Sequence, residues 1–128
     1  MLERYTAEQL VKTPYIDFDA KTGIFNLKGK SIPENSVAFY KPLLEWLDNY
    51  TASPSISTVL NFQLDYFNTS SAKVIADIMK KLDKLQESGS SNVVINWYYQ
   101  DIDEDMLEAG EDYMSFTKTV FNLISYTK

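Results

Sequence analysis

Apolar positions recur along the chain with two periods, and the period changes mark the elements. Residues 56–67 give the clearest signal. Ile56, Leu60, Phe62, Leu64 and Tyr66 occupy one parity, while Ser57, Asn61, Gln63 and Asp65 occupy the other. Alternation with period two predicts a strand with one packed and one polar face. Between about 70 and 87 the spacing becomes helical. Val74, Ile75, Ile78, Met79, Leu82 and Leu85 form one stripe, and Lys73, Asp77, Lys80, Lys81 and Lys84 lie mostly opposite. A second helix is predicted at about 35–51 from Val37, Tyr40, Leu43, Leu44 and Leu47, with Trp46 beside them. Pro42 falls inside it, where proline removes one hydrogen bond and crowds the preceding turn. Pro54, between Ser53 and Ser55, stops it.

Shorter elements complete the pattern. Tyr15–Phe18 and Ile24–Leu27 read as a hairpin closed by Asp19-Ala20-Lys21-Thr22-Gly23. Asn92–Tyr99 is β-branched and aromatic, hence a strand. A short helix is expected around Met106 and Leu107, and Val120–Ile124 is read as a final strand. Ser88-Gly89-Ser90-Ser91 is a turn rather than a linker, so residues 1–128 form a single domain. The predicted order is ββαβαβαβ. This is an α/β sandwich, a mixed sheet with helices packed mainly on one face.

Composition removes whole classes of chemistry. The chain has no Cys and no His. Disulfides, thiolate nucleophiles, imidazole bases and the commonest metal ligand are therefore absent. A net charge of −6 argues against a nucleic-acid partner, which calls for a basic face. With four Gly in all there is no glycine-rich phosphate loop, and no cofactor is implied. No apolar run is long enough to span a bilayer. The N-terminus lacks a basic region followed by an apolar one, so the expected location is cytoplasmic, with no membrane partner.

Acidity is local. Asp101–Asp112 holds seven carboxylates and no basic residue, and removing it leaves 11 acidic residues against 12 basic. Asp101, Asp103 and Asp105 copy three positions of a calcium-binding EF-hand loop. Met106 stands where that loop needs glycine and Asp112 where it needs glutamate, so a solvated helix end or a partner-facing surface is the better reading. Trp97-Tyr98-Tyr99 is a weaker candidate for ligand stacking, since aromatics in a strand more often fill a core.

The strand-to-helix junction Phe67-Asn68-Thr69-Ser70-Ser71-Ala72-Lys73 concentrates the candidate function. Asn, Ser and Thr are preferred helix caps, because their oxygens accept free backbone N–H groups. One such residue suffices for a cap, and here four stand in a row. A hydroxyl at a helix N-terminus is also a phosphoacceptor candidate, since the positive helix end favours an added phosphate.

Four stretches in order resemble the SiaC-type biofilm-regulation phosphoproteins. They are Gly29-Lys30-Ser31-Ile32-Pro33-Glu34-Asn35, Phe39–Leu47, Phe67–Ser71 and Asp105–Asp112, and the likeness spans about Thr13 to Phe121. More loosely, the chain is similar to STAS-type anti-sigma-factor antagonists, which carry Asp-Ser-Ser-Gly at a strand-to-helix junction. Asn68 stands here for that Asp, Thr69 for the phosphorylated residue and Ser71 for the Gly. The SiaC resemblance implies a STAS-like fold and a switch protein rather than an enzyme. A Ser/Thr protein kinase would phosphorylate Thr69, and a PP2C-type phosphatase would reverse this. The unphosphorylated form would bind a diguanylate cyclase and promote cyclic-di-GMP synthesis, controlling biofilm formation. Asn68, Thr69, Ser70, Ser71 and Lys73 would form the partner-binding patch. Two other readings compete: an anti-sigma-factor antagonist in a partner-switching pathway, and a small metal-dependent hydrolase using Asp and Glu.

Overall fold

The computed structural model describes residues 2–128. Six strands form one sheet in the order β1-β2-β3-β4-β5-β6. They are β1 (Tyr5–Ala7), β2 (Tyr15–Asp19), β3 (Ile24–Ser31), β4 (Ser57–Phe67), β5 (Asn92–Gln100) and β6 (Val120–Tyr126). Three helices alternate with the later strands: α1 (Ser36–Ala52), α2 (Thr69–Ser88) and α3 (Glu104–Phe116). β1, β2 and β3 pair antiparallel, and β3 to β6 pair parallel, so the sheet is mixed as the pattern predicts.

The hairpin turn follows from Gly23, which takes φ 74° and donates its N–H to Asp19 O at 2.9 Å. Strand β1 is an addition that the sequence pattern does not announce. It is three residues long and rests on β2 through Thr6↔Asp17. The acidic segment carries a longer helix than expected, 13 residues, capped by the Asp103 carboxylate on Met106 N. The final apolar run is a strand, in register with β5 from Val94↔Val120 to Gln100↔Tyr126. Pro42 sits inside an unbroken α1 at an exposed position. Water can there solvate the Ala38 carbonyl that proline leaves without a donor.

All three helices cover the same face. Phe18, Phe25, Leu27, Leu60, Phe62, Ile95 and Trp97 point into it and are fully or almost fully buried. The whole predicted α2 stripe is buried against them. In α1 the buried set is Ser36, Tyr40, Leu43, Trp46, Leu47 and Tyr50, whereas Val37 lies outside the core and is exposed. Trp46 and Tyr50 stack at 5.6 Å and meet Phe25 edge-on.

Two residues of the predicted apolar parity in β4 fall outside its packed face. Ile56 precedes the strand and is 86% exposed. Tyr66 is 57% exposed because the register jumps from Gly29↔Leu64 to Lys30↔Tyr66, leaving Asp65 as a bulge. One extra residue exchanges the two faces of the strand. Tyr66 therefore turns out, and Phe67 turns in to meet Trp97 and Tyr113. The bulge lies at the end of β4, one step before the junction that carries the candidate chemistry.

Candidate functional site

The bulge delivers the chain to α2 through Asn68, whose backbone is extended (φ −85°, ψ 174°). Asn68 is the cap. Its Oδ1 accepts from Ser71 N at 2.9 Å, and its own N–H donates to Ser31 O at 3.0 Å. The end of β3 thus fixes the start of α2.

Below the cap lies a chain of hydroxyls. Each has one proton, which sets the direction of the bonds below. Ser71 Oγ donates to Ser31 O at 3.0 Å. Ser31 Oγ then donates to Ser71 Oγ at 2.8 Å and accepts from Tyr40 OH at 2.5 Å. On the outer side, Ser70 Oγ donates to Asn68 Oδ1 at 3.1 Å and accepts from Ser36 Oγ at 2.7 Å. Ser31, Ser36, Tyr40 and Ser71 are all buried. Burial pushes the Tyr40 phenol up to about 12, against a smaller opposing effect of its bond to Ser31.

Thr69 is different. It is the first residue of α2, it is exposed, and its hydroxyl makes no hydrogen bond among the described residues. The four hydroxylated or amide residues of the junction therefore divide. Asn68 caps, Ser70 is tied to Asn68 and Ser36, Ser71 is sealed inside, and Thr69 faces solvent. Lys73 follows one turn later on α2, exposed and without an ion pair among the described residues. Of the predicted partner patch, Thr69, Ser70 and Lys73 are accessible and Asn68 is half-buried. Ser71 is 0% exposed, so it holds the patch together from beneath and offers no surface to a partner.

The sequence names all five positions of the patch for capping or docking, but not Ser31, Ser36 and Tyr40 as their support. Their signal is weak before folding, because Ser31 and Ser36 lie 40 and 34 residues from their α2 partners and Tyr40 joins only through Ser31. A serine at the buried parity of a strand end is the one cue available.

The remaining candidates resolve as structure. Trp97 is a core residue, not a stacking platform; it is 1% exposed and its Nε1 donates to Met106 O at 3.0 Å. Tyr99 packs partly against the core. The aspartates that mimic an EF-hand are dispersed: Asp101 accepts from Thr127, Asp103 caps α3, and Asp105 lies in its first turn. Among the described residues no three carboxylates converge on a point where an ion could sit. No helix there is long and apolar enough to cross a membrane.

Comparison with known proteins places this geometry. A family model described as SiaC family regulatory phosphoprotein matches residues 7–126. An uncharacterised protein of Pseudomonas aeruginosa strain UCBPP-PA14 is 31% identical over 101 residues, covering 79% of each chain. Among solved structures, the fold is similar to that of SiaC from Pseudomonas aeruginosa in its complex with the diguanylate cyclase SiaD, of which it is described as the activator. The TM-score is 0.89 at 26% identity, over 95% of this chain and 99% of that one. The apo form of SiaC matches with a TM-score of 0.86 at 26% identity, over 95% and 98% of the two chains. The chain belongs to the SiaC family of regulatory phosphoproteins.

Proposed function

We propose that this protein is a phosphorylation-switched adaptor that binds and activates a diguanylate cyclase when Thr69 is unmodified. A Ser/Thr protein kinase adds phosphate to Thr69 and releases the cyclase; a PP2C-type phosphatase restores binding. The protein acts in the cytoplasm and carries no catalytic residues of its own. Its output is cyclic-di-GMP and, through it, biofilm formation. One observation carries the reading: at a junction of capping residues, Thr69 alone presents an unengaged hydroxyl to solvent, on a helix start held rigid from beneath.

The physics of the switch follows from that position. A neutral hydroxyl enters an interface at small cost if it finds a partner there. A phosphate brings nearly two negative charges, and desolvating them costs several kcal/mol unless cations match them. Lys73 is the one nearby cation on α2's first turns. The modified form is comfortable in solvent, since the free N–H groups of the helix start favour an anion by about 0.3–1 kcal/mol. Phosphorylation thus stabilises the free protein slightly and penalises the docked one strongly.

The test is cyclase turnover with the adaptor added. Unmodified protein and Thr69→Ala should both stimulate cyclic-di-GMP synthesis. Thr69→Asp and the phosphorylated form should not, and peptide mapping should place a single phosphate on Thr69. Equal stimulation by all four forms would overturn the proposal, as would phosphate located on another residue.

A further inference from the structure

The two edges of the sheet are built differently. β1 is three residues long and is flanked by Arg4 and Glu8. Arg4 pairs with Asp17 and Asp19 of β2. Short, charged edges resist an added strand. β6 runs seven residues, Val120–Tyr126, without a charge, proline or glycine, and its pairing with β5 has no bulge. The carbonyl of Tyr126 faces β5 and accepts from Asp101 N at 2.9 Å. Backbone groups alternate sides along a strand, so Val120, Asn122, Ile124 and Tyr126 bond inward. Phe121, Leu123 and Ser125 present their N–H and C=O groups outward, to no strand of the sheet.

A second feature ends at the same edge. On the sheet face opposite the helices, Asn26, Asn61, Asn96 and Asn122 stand in one cross-strand row. Asn122 Nδ2 donates to Asn96 Oδ1 at 3.0 Å, Asn96 to Asn61 at 2.9 Å, and Asn61 to Asn26 at 3.1 Å. Each inner amide both donates and accepts. At the β6 end, Asn122 Oδ1 accepts from nothing among the described residues, and the second amide hydrogen is also free.

We propose that β6 pairs antiparallel with β6 of a second copy, about a two-fold axis at Asn122, so that two sheets become one. The register follows from the side chains. Centring on Asn122 sets Val120 opposite Ile124 of the second copy and Phe121 opposite its Leu123, apolar against apolar on both sides of the axis. Centring one residue later sets Phe121 against Ser125 and Asn122 against Ile124. In the favoured register Phe121 and Leu123 exchange backbone hydrogen bonds. Asn122 meets its own copy at a non-hydrogen-bonded position, where Cα atoms approach to about 4.5 Å. There the two amides satisfy each other, and the ladder runs on without a break. The contact is isologous, so it closes at two copies. Thr69 opens α2 just past the end of β4, two strands away from the pairing edge, and stays accessible in both copies.

Sedimentation equilibrium of the intact chain at micromolar to sub-millimolar concentration tests this. The expected mass is twice 14.7 kDa. Asn122→Lys sets two like charges opposite each other, as does Asn122→Asp; each variant should sediment as a monomer, and an equimolar mixture should recover the dimer. Because the chain has no Cys, register can be read by single thiols. Asn122→Cys should cross-link to itself on mild oxidation, whereas Val120→Cys, facing Ile124, should not. A monomeric wild type, a dimer that survives Asn122→Lys, or equal cross-linking at both positions would overturn the proposal.

Discussion

Replacing Tyr40 by Phe removes one oxygen from the base of the hydroxyl chain and nothing from the aromatic packing. At neutral pH the loss is one buried hydrogen bond, Tyr40 OH to Ser31 Oγ, worth about 1 kcal/mol. Alkaline pH closes the gap. Tyr40 ionises near 12 in the folded protein against 10.0 in the unfolded chain. The folded state therefore keeps a proton that the unfolded state loses, and stability falls as pH rises above 10. From those two values, the wild type loses about 1.4 kcal/mol through Tyr40 by pH 11. The Phe variant loses none of that. Tyr5, Tyr15 and Tyr113, also raised, titrate in both proteins and cancel in the difference. Urea unfolding of both proteins at pH 8 and pH 11 is the assay. Tyr40→Phe should be the less stable protein at pH 8 and about equal to wild type at pH 11. A gap that is the same at both values would refute the assignment of Tyr40 as a buried, network-bound phenol.

Other consequences follow from the same contacts. Gly110→Ala would place a Cβ 2.5 Å from Trp97 Cδ1 and 2.7 Å from Leu123 Cδ2. The gain in helix propensity is about 1 kcal/mol and the overpacking cost about 1–3 kcal/mol, so urea unfolding should show a net loss of up to about 2 kcal/mol. Asn68→Ala removes the cap of α2 and should cost about 1 kcal/mol. Hydrogen exchange should show faster exchange at Ser71, whose N–H loses its acceptor, and unchanged protection in β5.

Much of this architecture is visible in the residue pattern, and the exceptions have identifiable causes. The α2 stripe is legible because six apolar residues share a face long enough to average out local exceptions. β1 is not, because three residues cannot establish a period and its stability comes from β2. Tyr66 misleads because the Asp65 bulge reverses parity, and a bulge is set by pairing between distant strands. Val37 misleads because the α1 stripe is completed by a serine, Ser36, which is buried for the hydroxyl chain rather than for hydrophobic packing. At the junction, sequence alone separates neither the capping role of Asn68 nor the burial of Ser71 from the exposure of Thr69. That division depends on Ser31, Ser36 and Tyr40, which the fold brings from elsewhere. Gly110 belongs to a motif whose chemistry looks acidic, yet its reason is steric: the Trp97 indole occupies the space of a side chain.

Calorimetric titration of a diguanylate cyclase partner with the Thr69-phosphorylated and unmodified proteins puts the central claim to its most direct trial. The account expects the phosphate to weaken binding at least tenfold, about 1.4 kcal/mol, with Thr69→Ala binding as tightly as the unmodified protein. Indistinguishable affinities for the two forms would contradict it.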